Sequence, residues 1–150
     1  GVDLIVRPRD MHDSAVPSGS ALAAGFLSRL AVHLPESRWT ELCEGTIRAH
    51  QKQLESNPFG TGHLLGVVDG YHRGFTEIVI GGEGPARDAL WFAAGQLPIL
   101  DKIILRLESL PSDHPAAGGR GAATGTAWVC RGHACSLPVH TPADLVRVLE

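Results

Sequence analysis

The chain has 150 residues, 43% apolar, 19% charged and 5% aromatic, with a formal net charge of −3, a balance too apolar for a disordered tail and too acidic for the basic stripe that nucleic acid requires. Its apolar runs are too short to cross a bilayer, and no basic segment followed by an apolar core opens the chain. Nucleic acid and membrane are thereby excluded as expected partners, and three cysteines, too few and too odd in number for a disulfide framework, point to a reducing, cytoplasmic setting.

Residues 1–16 read as an extended arm. Pro17-Ser18-Gly19-Ser20 then signals a helix start, because a serine oxygen can accept the unpaired N–H groups of a first turn. Leu22, Phe26 and Leu30 recur four apart with Leu27, Ala31 and Leu34 beside them, which predicts an apolar helical face. Ala21, Ala23, Ala24 and Gly25 keep the rest small, so the helix is expected to approach others closely and be buried on most sides. Pro35 stops it and Ser37 is placed to cap a second helix. There Trp39, Leu42, Cys43, Thr46, Ile47, His50 and Leu54 share one face, and Glu41, Glu44, Arg48, Gln51 and Lys52 take the other. Asn57-Pro58 ends this helix, Gly60 and Gly62 turn the chain, and Thr61 can cap a third helix through Leu64, Leu65, Val67, Val68 and Tyr71. Residues 1–74 are therefore predicted as a helical hairpin segment.

At Gly74 the period changes. Thr76–Ile80 is a β-branched run closed by Gly81-Gly82, Pro85 opens a helix carrying Leu90, Trp91, Ala94 and Leu97, and Lys102–Arg106 is a second strand. This strand, helix and strand have the length of a parallel βαβ crossover. Residues 107–125 form a long irregular segment, Thr126–Cys130 a third strand, and Thr141-Pro142 begin a terminal helix with Leu145, Val148 and Leu149 on one face. The expected fold is mixed α and β: helical hairpins over 1–74, then a small parallel α/β unit over 75–150 packed on them. With all strands parallel, Gly81, Arg106 and Cys130-Arg131 would lie at the carboxyl ends, where open α/β sheets place ligands.

Three constellations could carry chemistry. Cys130 and Cys135 are the thiol candidates. They have four residues between them rather than the two of a thioredoxin-like site, and His133 and His140 would complete a ligand set that zinc accepts at a spacing that fits no closed zinc module. The plainer reading makes them small hydrophobes at a strand end and in the following turn, and no metal or cofactor is expected. Gly81-Gly82-Glu83-Gly84 before a helix is where a phosphate cradle belongs, but it lacks the Gly-Lys-Ser/Thr of a P-loop, and Glu83 would repel phosphate. Of the eight histidines, His50 on the apolar face reads as a core residue, whereas His12 and His63 are pocket candidates. No serine, histidine and acid fall at the spacing of a hydrolase triad.

Two motifs in order are similar to one family. Asp13-Ser14-Ala15-Val16-Pro17-Ser18-Gly19-Ser20 resembles a D-G-A-x-P-S-G-N segment, and Ala127-Trp128-Val129-Cys130-Arg131-Gly132-His133-Ala134-Cys135-Ser136-Leu137-Pro138-Val139 resembles a Y-V-C-x-x-x-A-C-x-x-P-V segment. Both belong to the spermatogenesis-associated, thioredoxin-domain-containing protein family, whose E-I-V-I-x-G strand resembles Glu77–Gly81. Asp13, Pro17, Ser18, Gly19, Cys130, Cys135 and Pro138 match that pattern, while Ser20 replaces its asparagine, Ser14 its glycine and His133 an aromatic residue.

The resemblance implies the last hairpins of an (α/α) toroid, similar to N-acylglucosamine 2-epimerases and six-hairpin glycosidases, followed by a small α/β segment. The family's N-terminal thioredoxin-like domain has no counterpart here. Asp13, Ser18, Gly19 and Ser20 would then lie near the cavity mouth as helix caps or sugar-hydroxyl contacts. The functional expectation is a non-catalytic or incompletely catalytic C-terminal part of an epimerase-like barrel protein, related to carbohydrate, with no complete catalytic set of its own. Its partners would be a small carbohydrate and the rest of the barrel, or another chain. The alternatives are a thiol redox or metal-binding module at Cys130 and Cys135, and a protein-interaction domain. A start at Gly1 and a single methionine, Met11, fit the expectation of a piece of something longer.

Overall fold

The computed structural model describes residues 12–34, 36–114, 117, 125–132 and 134–149. The arm before residue 12 with Met11, the stop at Pro35, most of the irregular segment after 114, and His133 lie outside them. Among the described residues the protein is mixed α and β, with six α-helices and one four-stranded mixed sheet. It divides into two compact units, Gly1–His72 and Arg73–Glu150.

The first unit is helical: α1 (Gly19–His33), α2 (Ser37–Ala49), α3 (Gln51–Ser56) and α4 (Gly62–Arg73), whose last turn crosses the division. Ser18 caps α1, its Oγ accepting from the Ala21 N–H at 3.3 Å. The face that α1 buries is not the predicted one. Ala21, Ala24 and Ser28 turn inward, whereas Leu22 is 52% and Phe26 63% exposed. Close approach explains the inversion. A Cβ on Gly25 would stand 3.2 Å from Val67 Cγ2 of α4, and the Cys43 thiol of α2 donates to the Ala24 carbonyl at 3.5 Å. Only small side chains fit at those separations.

The long second helix of the sequence reading is broken at His50. Its Nδ1 sits 2.8 Å from the Thr46 carbonyl that its own amide would bond in a regular helix, and that amide bonds Ile47 instead. The ring replaces one rung of the ladder, and α3 restarts at Gln51. His50 is buried, as its place on the apolar face predicts.

In the second unit, β1 (Thr76–Gly81), α5 (Pro85–Gln96) and β2 (Lys102–Arg106) form the expected strand, helix and strand, with β1 and β2 parallel. Pro85 occupies the first turn of α5, where its missing N–H costs nothing. β3 (Thr126–Arg131) departs from the all-parallel expectation. It runs antiparallel to β1, pairing Thr76 with Arg131 and Gly81 with Thr126, and β4 (Ala134–Cys135) adds an antiparallel edge, giving the order β2-β1-β3-β4. A parallel third strand needs a crossover back to the end from which β1 starts. Instead the chain re-enters the sheet at the end where β1 finishes. Gly81 and Arg106 therefore share one end of the sheet, and Cys130-Arg131 lies at the other.

The core of this unit is formed by Ile78, Ile80, Leu90, Ala94, Ala127, Val129, Val139 and Leu145. Leu145 comes from α6 (Pro142–Leu149), which Thr141 caps by accepting from the Asp144 N–H at 3.2 Å.

Candidate functional site

The residues singled out at the start of the helical unit meet at one point. Asp13 Oδ1 accepts from the Ser18 N–H at 2.9 Å and Oδ2 from the His63 N–H at 2.7 Å, so one carboxylate ties the starts of α1 and α4 together. The Ser18 amide bond, then that of His63, holds its pKa below the ordinary carboxylate value. Gly19 is the first residue of α1, with open space where a Cβ would stand, and Ser20 follows it half-buried. Both Asp13 oxygens are engaged by backbone, which is the chemistry of a brace.

A more open arrangement lies between α2, α3 and α4. An apolar floor of Ile47, Leu54 and Val68 carries a polar rim of Glu44, Arg48, Gln51, Tyr71 and His72 around a groove of about 420 Å³. The Tyr71 hydroxyl donates to Glu44 Oε1 at 2.8 Å, and Arg48 approaches Glu44 Oε2 at 3.7 Å. Burial, then the bond to Glu44, pushes the Tyr71 pKa up to about 12. The phenol therefore stays protonated and serves as a donor, and it is no general base near neutrality. The His72 ring stands edge-on to Tyr71, with centroids 5.8 Å apart. Sequence reasoning had placed Glu44, Arg48 and Gln51 on the solvent side of their helix. The available signal was their spacing of four and three, which stacks them on one stripe.

Two sites in the second unit, and Cys43 in the first, answer the remaining expectations. The turn after β1 offers its Gly82 N–H to the Glu108 carboxylate, so the chain's own acid occupies the place an anion would take. Cys130 and Cys135 are joined in a disulfide, which overturns the reading of two separate small hydrophobes. They are directly paired across β3 and β4, because a hairpin reversing at Gly132 brings residues five apart face to face. The bond removes both thiolates that zinc would need, His140 Nδ1 lies 3.3 Å from Thr126 Oγ1, and no metal-ligating cluster occurs among the described residues. Cys43 is the free thiol, fully buried, with its pKa raised by that burial and then by Glu44.

Fold and site thus define a mixed α/β chain with a grooved helical unit and a disulfide-closed sheet edge. Over its whole length the chain is 25% identical to spermatogenesis-associated protein 20 of Homo sapiens, 24% to that of Mus musculus and 25% to that of Rattus norvegicus. These are homologues of the chain, and they are the family that its motifs resemble. The chain spans 20% of the length of each. No family model matches it. No solved structure matches it either. Among the described residues no helix is long and apolar enough to cross a membrane.

Proposed function

We propose that the chain is a non-catalytic C-terminal part of a larger helical barrel of the spermatogenesis-associated type, in which the groove of the helical unit holds a small carbohydrate. The observation that carries this reading is the groove itself. A sugar ring is apolar on its faces and polar at its edge, and Ile47, Leu54 and Val68 under Glu44, Arg48 and Gln51 offer the matching surfaces. Tyr71, locked as a donor by its raised pKa, fixes the carboxylate that would accept sugar hydroxyls.

The barrel half of the proposal draws on α1. Leu22 and Phe26 face outward at 52% and 63% exposure, an arrangement that further helices would cover. The relatives' far greater length supplies room for such helices. In an (α/α) toroid built from hairpins, Asp13 and Ser18 would act as braces of helix starts near the cavity mouth.

Isothermal titration of the full-length protein with mono- and disaccharides tests the sugar contact. Binding is expected, with Glu44→Gln weakening it by roughly tenfold, the loss from one charge-assisted hydrogen bond. Absence of heat for every sugar tried would remove the carbohydrate reading and leave the barrel reading to stand on α1.

A further inference from the structure

Cys130 and Cys135 lie in the second unit and take no part in the groove. We propose that their disulfide is a reversible thiol–disulfide exchange site whose co-reactant is a thiol, supplied by a dithiol protein or by a small thiol of the glutathione class.

Position comes first. β4 is the edge strand of the sheet, so among the described residues no further strand pairs with its outer side. Ala134 beside Cys135 is exposed, as are Arg131 and Gly132, and Cys135 itself is half-buried. Cys130 is 1% exposed. An incoming thiolate therefore reaches Cys135 Sγ, and Cys130 Sγ is the leaving group.

The second observation is that the hairpin is held without the bond. The Ser136 N–H donates to the Val129 carbonyl at 2.8 Å, and the Val129 N–H donates to Ser136 Oγ at 3.1 Å. Two residues further along, Ala127 and Val139 exchange both backbone bonds, at 2.8 and 2.9 Å. Gly132, with φ +58°, supplies the left-handed residue on which the chain reverses. The stabilisation a disulfide contributes by restricting the unfolded chain grows with the loop it closes, and this loop holds only residues 131–134. A bond that adds little to a hairpin already pinned on both strands can open and re-form with the fold intact.

The exchange balances as follows. The donor thiolate forms a new S–S bond to Cys135 Sγ while the Cys130–Cys135 bond breaks, and its electron pair stays on Cys130 Sγ, which takes a proton. A second donor thiolate, on the same dithiol or on a second small thiol, then attacks the donor sulfur of the mixed disulfide. Cys135 Sγ leaves with that electron pair and takes the second proton. The donor is oxidised to its disulfide by two electrons, and the cysteine pair is reduced to two thiols.

Cys43 makes the test clean, since it is fully buried and outside the disulfide, and so reports unfolding. The whole 150-residue chain is incubated without denaturant, one arm in glutathione buffer and one in the dithiol dithiothreitol. Free thiols are blocked with a maleimide and counted by intact mass. Two labels without a third are expected. Their gain in glutathione assigns the small thiol, and their gain in the dithiol alone assigns a dithiol protein as co-reactant. In Cys130→Ala incubated with oxidised glutathione, a glutathione adduct on Cys135 is expected. No label in either arm, or three labels appearing together, overturns the proposal: the bond would then be inert, or would open only when the chain unfolds. Neither result bears on sugar binding by the groove.

Discussion

In the α/β unit the core is built from long aliphatic side chains, with Ile78, Ile80, Leu90 and Leu145 at 1% exposure or less, while Phe92, Leu100 and Leu137 stand outside it. In the helical unit the order is reversed along α1, where Ala21 and Ala24 are sealed while Phe26 is 63% exposed, and the buried cluster is Ala21, Ala24 and Leu64. The first arrangement removes about 25 cal/mol of unfavourable hydration for each Å² of apolar surface it hides, and applies this to whole leucine and isoleucine side chains. The second places small residues at the closest helix contacts and leaves the larger hydrophobic gain unrealised within the unit. One unit closes on long aliphatic side chains, and the other, along α1, on small ones.

The sharpest way to break that contrast is to truncate one side chain in each unit. Leu90→Ala should lower stability by about 2–5 kcal/mol, since it removes buried methyl groups and leaves a cavity between α5 and the sheet. Phe26→Ala should change it by less than about 0.5 kcal/mol in the isolated chain, because an exposed ring has little packing to lose. Scanning calorimetry of both variants decides. Equal losses would mean that Phe26 is buried in solution and that α1 packs as its periodicity predicts.

That periodicity marks where the sequence was legible and where it was not. Element types followed from local signals: Ser18 before an apolar period, Pro85 at a helix start, and the β-branched run from Thr76. The choice of buried face on α1 did not, because Leu22 and Phe26 make a better apolar stripe than Ala21 and Ala24. What decides is the distance to Val67 and Cys43, a tertiary quantity. The direction of β3 was hidden for a related reason, since strand composition is the same for either polarity. Cys130 and Cys135 show the limit at the site. A spacing of five is diagnostic only once both residues are known to sit on opposing strands of one hairpin. The groove rim was half visible, with Glu44, Arg48 and Gln51 on one stripe, but its partner Tyr71 arrives from a helix 27 residues away from Glu44.

A second, smaller effect separates the units by pH. Asp13 braces two helix starts in the helical unit with a carboxylate whose pKa is held down by the Ser18 and His63 amides. A depressed folded-state pKa contributes stability above the unfolded value, about 3.9, and loses it as pH falls through the lower folded value. Exchange of the Ser18 and His63 amide protons should therefore accelerate on acidification before that of the β1 amides. In Asp13→Asn one of the two acceptors becomes an NH₂ group, so one amide exchanges fast at every pH and the acid dependence flattens. Unchanged exchange at both amides would remove the brace.

The smallest effect is the most specific to the groove. Tyr71 is the chain's single tyrosine, so phenolate absorbance reports it without interference. Its midpoint should lie at about 12, above the ordinary 10.0. The sign follows from the favoured form: the neutral phenol is stabilised by folding, so its contribution is complete below the unfolded value and disappears as pH rises through the folded one. Glu44→Gln removes the carboxylate but keeps the burial, which is the larger cause, so the midpoint should fall part of the way and stop above the ordinary value. A fall all the way would assign the whole shift to Glu44 and leave the floor of Ile47, Leu54 and Val68 wet. The helical unit would then lack the shielded, polar-rimmed groove between α2, α3 and α4 on which the carbohydrate reading stands.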